Sequence, residues 1–211
     1  REGVHLLVHG VDDQLVDEEF LTLAKEAGTI YTPTLIVSDG YLNMFEAVKG
    51  VTTPSLDDPN GCIDTATRRR VLESPSLQDH PEVRKFERDF AAYRERLAES
   101  YARKVENLRR VHRAGIPIAM GTDTGPAARF QGYFEHGELA LMVEAGLTPM
   151  QAIVASTSDA ARCMEVDTDL GSLETGKWAD FLVLSANPLD DIANTHTLET
   201  VYIAGNQVPG V

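Results

Sequence analysis

Cysteine is nearly missing from this 211-residue chain: Cys62 and Cys163 stand far apart and have no metal-type spacing. Their scarcity argues against a disulfide framework and makes a reducing compartment the default. No apolar run approaches the roughly 20 residues that a membrane-spanning helix needs. Positive charge is also scarce, with 19 Lys and Arg set against 33 Asp and Glu for a net charge of -14. Such a balance repels phosphate backbones and anionic lipid, so neither nucleic acid nor a membrane surface is the expected partner. An initiating methionine is missing too: Arg1 leads within two residues into a strand-like run, as expected of a chain whose preceding part is absent. Any secretion signal would lie upstream of Arg1, which leaves the cytoplasm as the default location.

What remains is ordinary for a soluble globular protein, with 43% hydrophobic and 25% charged residues. The length suits one large domain, or one domain with a small satellite. Val4 to Val8 reads as a buried parallel strand ending at His9-Gly10. Asp13 to Ala27 has helical spacing and stops at Gly28. Thr29 to Val37 is rich in β-branched and aromatic residues and predicts a second strand, with Pro33 limiting its pairing. Tyr41 to Val48 predicts a short helix. Thr52 to Pro81, broken by four prolines, reads as an irregular excursion of the kind that forms lids. Glu82 to Ala114 carries apolar residues every three or four positions and predicts a helix roughly 50 Å long.

A third strand over Ile116 to Met120 ends in Gly121-Thr122-Asp123-Thr124-Gly125. Helices come next over His136 to Ala145 and over Thr148 to Met164, the latter opened by Thr148-Pro149. From Gly171 the texture becomes β-rich, with strands at Trp178 to Leu184 and Glu199 to Ile203, a loop over Asn187 to Asn194, and a tight turn at Gly205-Asn206. Alternating strands and helices imply a parallel sheet or a (β/α) barrel. Three such units cannot close a barrel, which needs eight. The expected fold class is therefore α/β: a partial TIM (β/α)8 barrel over residues 1–165, with a piece of a β-sandwich over 166–211.

His9 and Asp123 each lie just past the C-terminal end of a strand, where catalytic groups gather in barrels and open α/β sheets. An imidazole and a carboxylate suit a cation such as Zn²⁺. Strand parity puts Pro117, Ala119, Gly121 and Asp123 on one face and the bulky Ile116, Ile118 and Met120 on the other. On position alone His9 could instead be a structural histidine, and Asp123 a turn former. His5 shares the face of His9 but lies roughly 13 Å away along a strand, so the two cannot bind one ion, and it reads as a polar filler deep in the barrel. His136 and Glu138 open a helix and either touch substrate or cap it. Thr34, Tyr133 and His136 are candidate substrate contacts, as is Arg129. His80, His112 and His196 read as surface residues.

Several segments together resemble the amidohydrolase superfamily. Ala114-Gly115-Ile116-Pro117 through Gly121-Thr122-Asp123 is similar to its eighth barrel strand, and His136-Gly137-Glu138-Leu139 through Leu147-Thr148-Pro149 continues the likeness beyond that strand. Gly171-Ser172-Leu173-Glu174-Thr175-Gly176-Lys177-Trp178-Ala179-Asp180-Phe181 resembles the family's return into its β-sandwich, and Asn187-Pro188-Leu189 and Val201-Tyr202-Ile203-Ala204-Gly205 complete the likeness. The His9-Gly10 pair and Tyr31-Thr32-Pro33-Thr34-Leu35 look like the sixth and seventh strands of the imidazolonepropionase-like and Xaa-Pro dipeptidase-like branch. The resemblance covers nearly the whole chain except about residues 38–80.

That resemblance implies a hydrolase of carbon–nitrogen bonds other than ordinary peptide bonds, such as an amide, cyclic amide or dipeptide. It implies a divalent metal, Zn²⁺ foremost, as one or two ions in the complete protein. His9 would bind metal; Asp123 would bind metal and carry the proton from the attacking water to the leaving nitrogen. The first-strand His-Xaa-His pair, the fourth-strand Lys or Glu and the fifth-strand His of that family have no counterpart in this sequence. Two ligands fall short of the three or four of a stable zinc site. The expected partners are a small-molecule substrate and a missing N-terminal half of the barrel, with homo-oligomerisation left open. The competing expectations are a non-catalytic half that docks onto a separate chain, and a phosphotriester or lactone hydrolase on the same scaffold.

Overall fold

The computed structural model describes residues 3–52, 56, 58, 61, 63–81, 84, 90–125 and 130–209. At its centre three parallel segments lie side by side. Strand β1 (Leu6–Val8) pairs with β2 (Ile30–Thr32) in the register Leu6 to Ile30, Leu7 to Tyr31 and Val8 to Thr32. On the far side of β2, segment 116–120 joins through a bridge between Tyr31 and Ile118. The Tyr31 N–H donates to the Pro117 carbonyl at 2.9 Å and the Ala119 N–H to the Tyr31 carbonyl at 3.1 Å. Parallel neighbours joined through helices are what the alternating pattern predicted. Along segment 116–120, Ile116 and Ile118 are buried in the apolar core, as the bulky face predicted, but Ala119 on the face of Asp123 is buried as well.

The strands are shorter than their apolar runs. β1 begins only at Leu6, and His5 before it is exposed in this chain. β2 ends at Thr32, and the apolar Leu35-Ile36-Val37, read from sequence as strand, opens helix α2 (Leu35–Val48). The chain reverses at Thr34, whose φ of 44° lies in the left-handed region. That conformation ends the extended backbone, so the predicted short helix at Tyr41 is the second half of a longer one.

Helix α1 (Glu18–Glu26) starts later than its periodicity suggested, because the Asp17 carboxylate accepts from the Phe20 N–H and caps it there. The excursion at 52–81 is less irregular than expected: it contains α3 (Thr65–Leu72), capped by Asp64, and a 3₁₀ helix at Ser74–Asp79. The long helix α4 is described over Phe90–Arg113. Its start fits alongside α2, where the Phe45 ring meets Tyr93 edge-on at 5.0 Å. Its C-terminal half enters the core with Leu108 and Val111 fully buried.

Helix α5 (Phe134–Glu144) leads to α6 (Pro149–Ser156), which opens with the reciprocal capping box of Thr148 and Gln151. The single helix predicted to Met164 is split, with α7 (Ser158–Cys163) a separate turn after Thr157. The Ala155 carbonyl accepts the Met120 N–H at 2.9 Å, a bond to the sheet that competes with continued helix. Beyond, β3 (Phe181–Leu184), β4 (Leu198–Ile203) and β5 (Asn206–Gln207) form an antiparallel sheet in that order. Phe181 stacks on its cross-strand partner Tyr202 at 4.5 Å. The last turn lies at Ala204-Gly205, one residue earlier than predicted, and the loop before β4 winds into a 3₁₀ helix at Ile192–His196.

Candidate functional site

Three side chains of interest stand just beyond the C-terminal ends of the three parallel segments: His9 after β1, Thr34 after β2, and Asp123 after segment 116–120. All three are non-glycine residues with positive φ, at 74°, 44° and 50°. Positive φ is costly for any residue with a Cβ, most of all for a β-branched one. Its recurrence at three neighbouring strand ends is the kind of stored strain found at functional sites.

His9 is exposed, and its Nδ1 lies 2.9 Å from the Thr34 hydroxyl. Thr34 itself is fully buried and makes no side-chain cap bond to its own helix, because its hydroxyl is turned to His9. The bond fixes the ring plane and leaves Nε2 directed elsewhere. One ring nitrogen held by the protein and the other available is the usual disposition of a metal-binding histidine.

Close backbone packing sets these strand ends. A Cβ at Gly10 would sit 3.0 Å from both the Pro33 carbonyl oxygen and the Tyr31 hydroxyl. The Tyr31 hydroxyl accepts the Val11 N–H at 3.0 Å, and burial pushes this phenol up to about 12. Behind the turn, Asn107 of α4 is fully buried and makes three bonds to the loop after His9. Its Oδ1 accepts from the Val16 N–H at 2.9 Å, and its Nδ2 donates to the Val11 and Gln14 carbonyls at 2.8 Å each. On the other side, a Cβ at Gly121 would fall 2.7 Å from Cγ2 of Thr32.

Asp123 is exposed and its neighbours are braced. The hydroxyls of Thr122 and Thr124 lie 3.3 and 3.5 Å from Oε1 of Glu135, whose Oε2 accepts the Gly132 N–H at 2.8 Å. One turn further along α5, the fully buried Glu138 accepts from the Leu35 N–H at 2.9 Å and the Ile36 N–H at 2.7 Å. Glu138 therefore caps a helix, as one reading of the sequence held, but the helix is α2 rather than its own.

The remaining candidates among the described residues belong to the start of α5. His136 is within the first turn of α5, whose N-cap position is Tyr133. Its Nδ1 is 2.9 Å from the Thr195 hydroxyl, and its ring lies 4.1 Å from that of His196. Burial, and then the neighbouring His196 imidazole, push His136 down to about 4. His196, read as a surface residue, is half-buried against this ring. Tyr133 joins an aromatic group with Phe130 and Phe134, at 5.6 and 5.0 Å. Arg129 lies outside the described residues.

An imidazole and a carboxylate suit zinc in kind but not in number. Among the described residues no group of three or more His, Cys, Asp or Glu is placed to hold a metal ion. The Thr34–His9 bond and the Glu138 contacts with α2 are ones that no motif marks, since each partner is a common residue 25 or more positions away in sequence.

Comparison with known proteins places these strand ends in context. The profile described as the amidohydrolase family matches residues 12–208. Ochratoxinase of Aspergillus niger is 39% identical over 85 residues, 38% of this chain and 16% of that enzyme. Imidazolonepropionase of Pyrobaculum arsenaticum is 34% identical over 94 residues, 44% of this chain and 21% of that one. The crystal structure of A. niger ochratoxinase superposes with a TM-score of 0.64 at 25% identity, over 99% of this chain and 38% of that one. A Xaa-Pro dipeptidase with bound methionine gives 0.64 at 24% identity, over 99% of this chain and 40% of its own, a likeness of fold. The chain thus spans less than half the length of each of these relatives.

Proposed function

The chain belongs to the amidohydrolase family, and from that premise we propose that the protein carrying it hydrolyses a carbon–nitrogen bond outside ordinary peptides, with a divalent metal, foremost zinc, at the strand ends. The bond is an amide, a cyclic amide or a dipeptide linkage. The observation that supports this most is the row of His9, Thr34 and Asp123 over three parallel strand ends, all held at positive φ.

His9 and Asp123 would be the ligands from this chain. When bound, the metal would make water acidic enough to attack at neutral pH. The Thr34 hydroxyl orients His9 by its ring nitrogen. The exposed Asp123 carboxylate takes a proton from the attacking water and hands it to the leaving nitrogen, acting as base and then as acid. Tyr133, beyond the Asp123 loop, is offered as a substrate contact. We place His136 in a structural role, tying α5 to the tail.

Two ligands do not complete a zinc site. We therefore propose that residues 1–165 are the last part of a (β/α)8 barrel and 166–211 the last strands of a β-sandwich. The other ligands come from an N-terminal half. Exposed apolar side chains support a covering partner: Val8 of β1 is 56% exposed and Leu182 of β3 58%. The shortage of ligands equally favours a second reading, in which this chain is a non-catalytic half that serves only to dock.

A direct test loads the full-length protein with Zn²⁺ and assays N-acyl amino acids, Xaa-Pro dipeptides and cyclic amides. The proposal expects turnover of one class, and a loss of about 10²–10⁴-fold in kcat for Asp123→Asn. No hydrolysis by any zinc-loaded preparation would support the docking reading.

A further inference from the structure

The fully buried carboxylate of Glu138 has no role in the reaction just proposed, yet it reaches across from α5 to the first two amides of α2. Ordinarily the residue preceding a helix caps it with its own side chain. Thr34 occupies that position and makes no such bond, because its hydroxyl is 2.9 Å from Nδ1 of His9. The two facts fit together. Free amides at the start of α2 would compete for the Thr34 hydroxyl, and satisfying them from elsewhere releases it to hold the imidazole.

We propose that Glu138 is a positioning residue for His9, acting through Thr34. Its two oxygens take the Leu35 and Ile36 N–H groups, fix the left-handed backbone at Thr34, and so keep the hydroxyl on the histidine ring. Charged acceptors on helix-terminal amides are among the stronger hydrogen bonds and suit the positive end of the helix. A β-branched residue at positive φ persists only where its surroundings over-determine it. The grip of Glu138 on the next two residues supplies that constraint. The same helix braces the Asp123 loop through Glu135, three residues earlier on the same face. Helix α5 thereby sets both candidate ligands from one rigid body. The inference rests on the reading of His9 as a metal ligand for its functional meaning, but its physical content is a coupling between Glu138 and one imidazole.

The test reads the His9 ring in the ¹⁵N-labelled full-length protein by long-range ¹H–¹⁵N correlation, which shows which ring nitrogen carries the proton. Wild type should show one tautomer. Thr34→Val and Glu138→Gln should each give averaged ring signals, and Thr34→Ser should restore the wild-type pattern. Glu138→Gln should also speed amide exchange at Leu35 and Ile36 by about tenfold or more. The double variant should shift the His9 signals no further than Thr34→Val alone, since both act through one hydroxyl. Should Glu138→Gln fail to fold, Glu138→Asp, which withdraws the carboxylate by one methylene, decides in its place. The proposal is overturned if the glutamate variants leave the ring signals unchanged, or if the effects of Glu138 and Thr34 simply add. A zinc titration of the full-length protein separates the two readings. Zinc affinity unaffected by His9→Ala overturns the metal reading and leaves the coupling standing. Affinity lost in His9→Ala but intact in Glu138→Gln and Thr34→Val overturns the coupling.

Discussion

The imidazoles of His136 and His196 lie 4.1 Å apart with their planes tilted by 30°, joining helix α5 to the turn before β4. Nδ1 of His136 also meets the Thr195 hydroxyl at 2.9 Å. Burial of the His136 ring in this contact disfavours its charged form.

Acid should therefore loosen this contact. His136 is pushed from the ordinary 6.5 down to about 4 in the folded chain. Between those values the unfolded chain takes up a proton that the folded chain refuses, so stability falls as the pH drops from about 6.5 to about 4 and then levels off. Melting curves across that window should show Tm falling with acid, and His136→Gln should flatten that part of the profile. Equal slopes for both proteins would contradict the assignment.

The loop behind His9 depends on one amide. Asn107→Ala removes three hydrogen bonds and leaves the Val16 N–H and two carbonyls without these partners. The expected loss is about 2–4 kcal/mol in urea unfolding, with broadened His9 signals. A change under 1 kcal/mol, roughly what one ordinary hydrogen bond contributes, would sink this account.

Gly121 is required by its neighbour rather than by its own backbone. Gly121→Ala puts a methyl 2.7 Å from Cγ2 of Thr32, and should cost about 1–3 kcal/mol. Thr32→Ser removes the opposing methyl, so the double variant should recover most of that loss, a coupling readable by thermal unfolding. Additive losses would show that the clash is not the cause.

Apolar faces left open should make the isolated chain associate. Val8, Leu182 and Ile203 are 56%, 58% and 55% exposed, and Trp178 is 58% exposed. Light scattering on the purified chain should report self-association that a co-expressed N-terminal half suppresses. A monodisperse monomer would count against a covering partner.

The sequence made the row of strand ends visible through simple cues. His9-Gly10 and Gly121-Thr122-Asp123 close apolar runs, and the bulky Ile116 and Ile118 of segment 116–120 were read as core and are buried. Only the second half of helix α2, from Tyr41, was legible, because Leu35-Ile36-Val37 has no helical period and the cap comes from Glu138, about a hundred residues on. The division between α6 and α7 was hidden for a related reason: the carbonyl of Ala155 is engaged by a strand amide, which local propensity does not register. His196 carried no signal at all, since its surroundings are made by α5. What pattern reading misses throughout is a polar partner distant in sequence.

The central claim is that His9 and Asp123 serve one metal ion, and a titration can address it directly. Co²⁺ added to the ¹⁵N,¹³C-labelled protein should perturb the His9 ring and the Asp123 carboxylate together, with one apparent Kd, and His9→Ala should abolish the response at Asp123. If Asp123 responds to Co²⁺ as before when His9 is gone, the two residues do not share an ion and the proposed site is wrong.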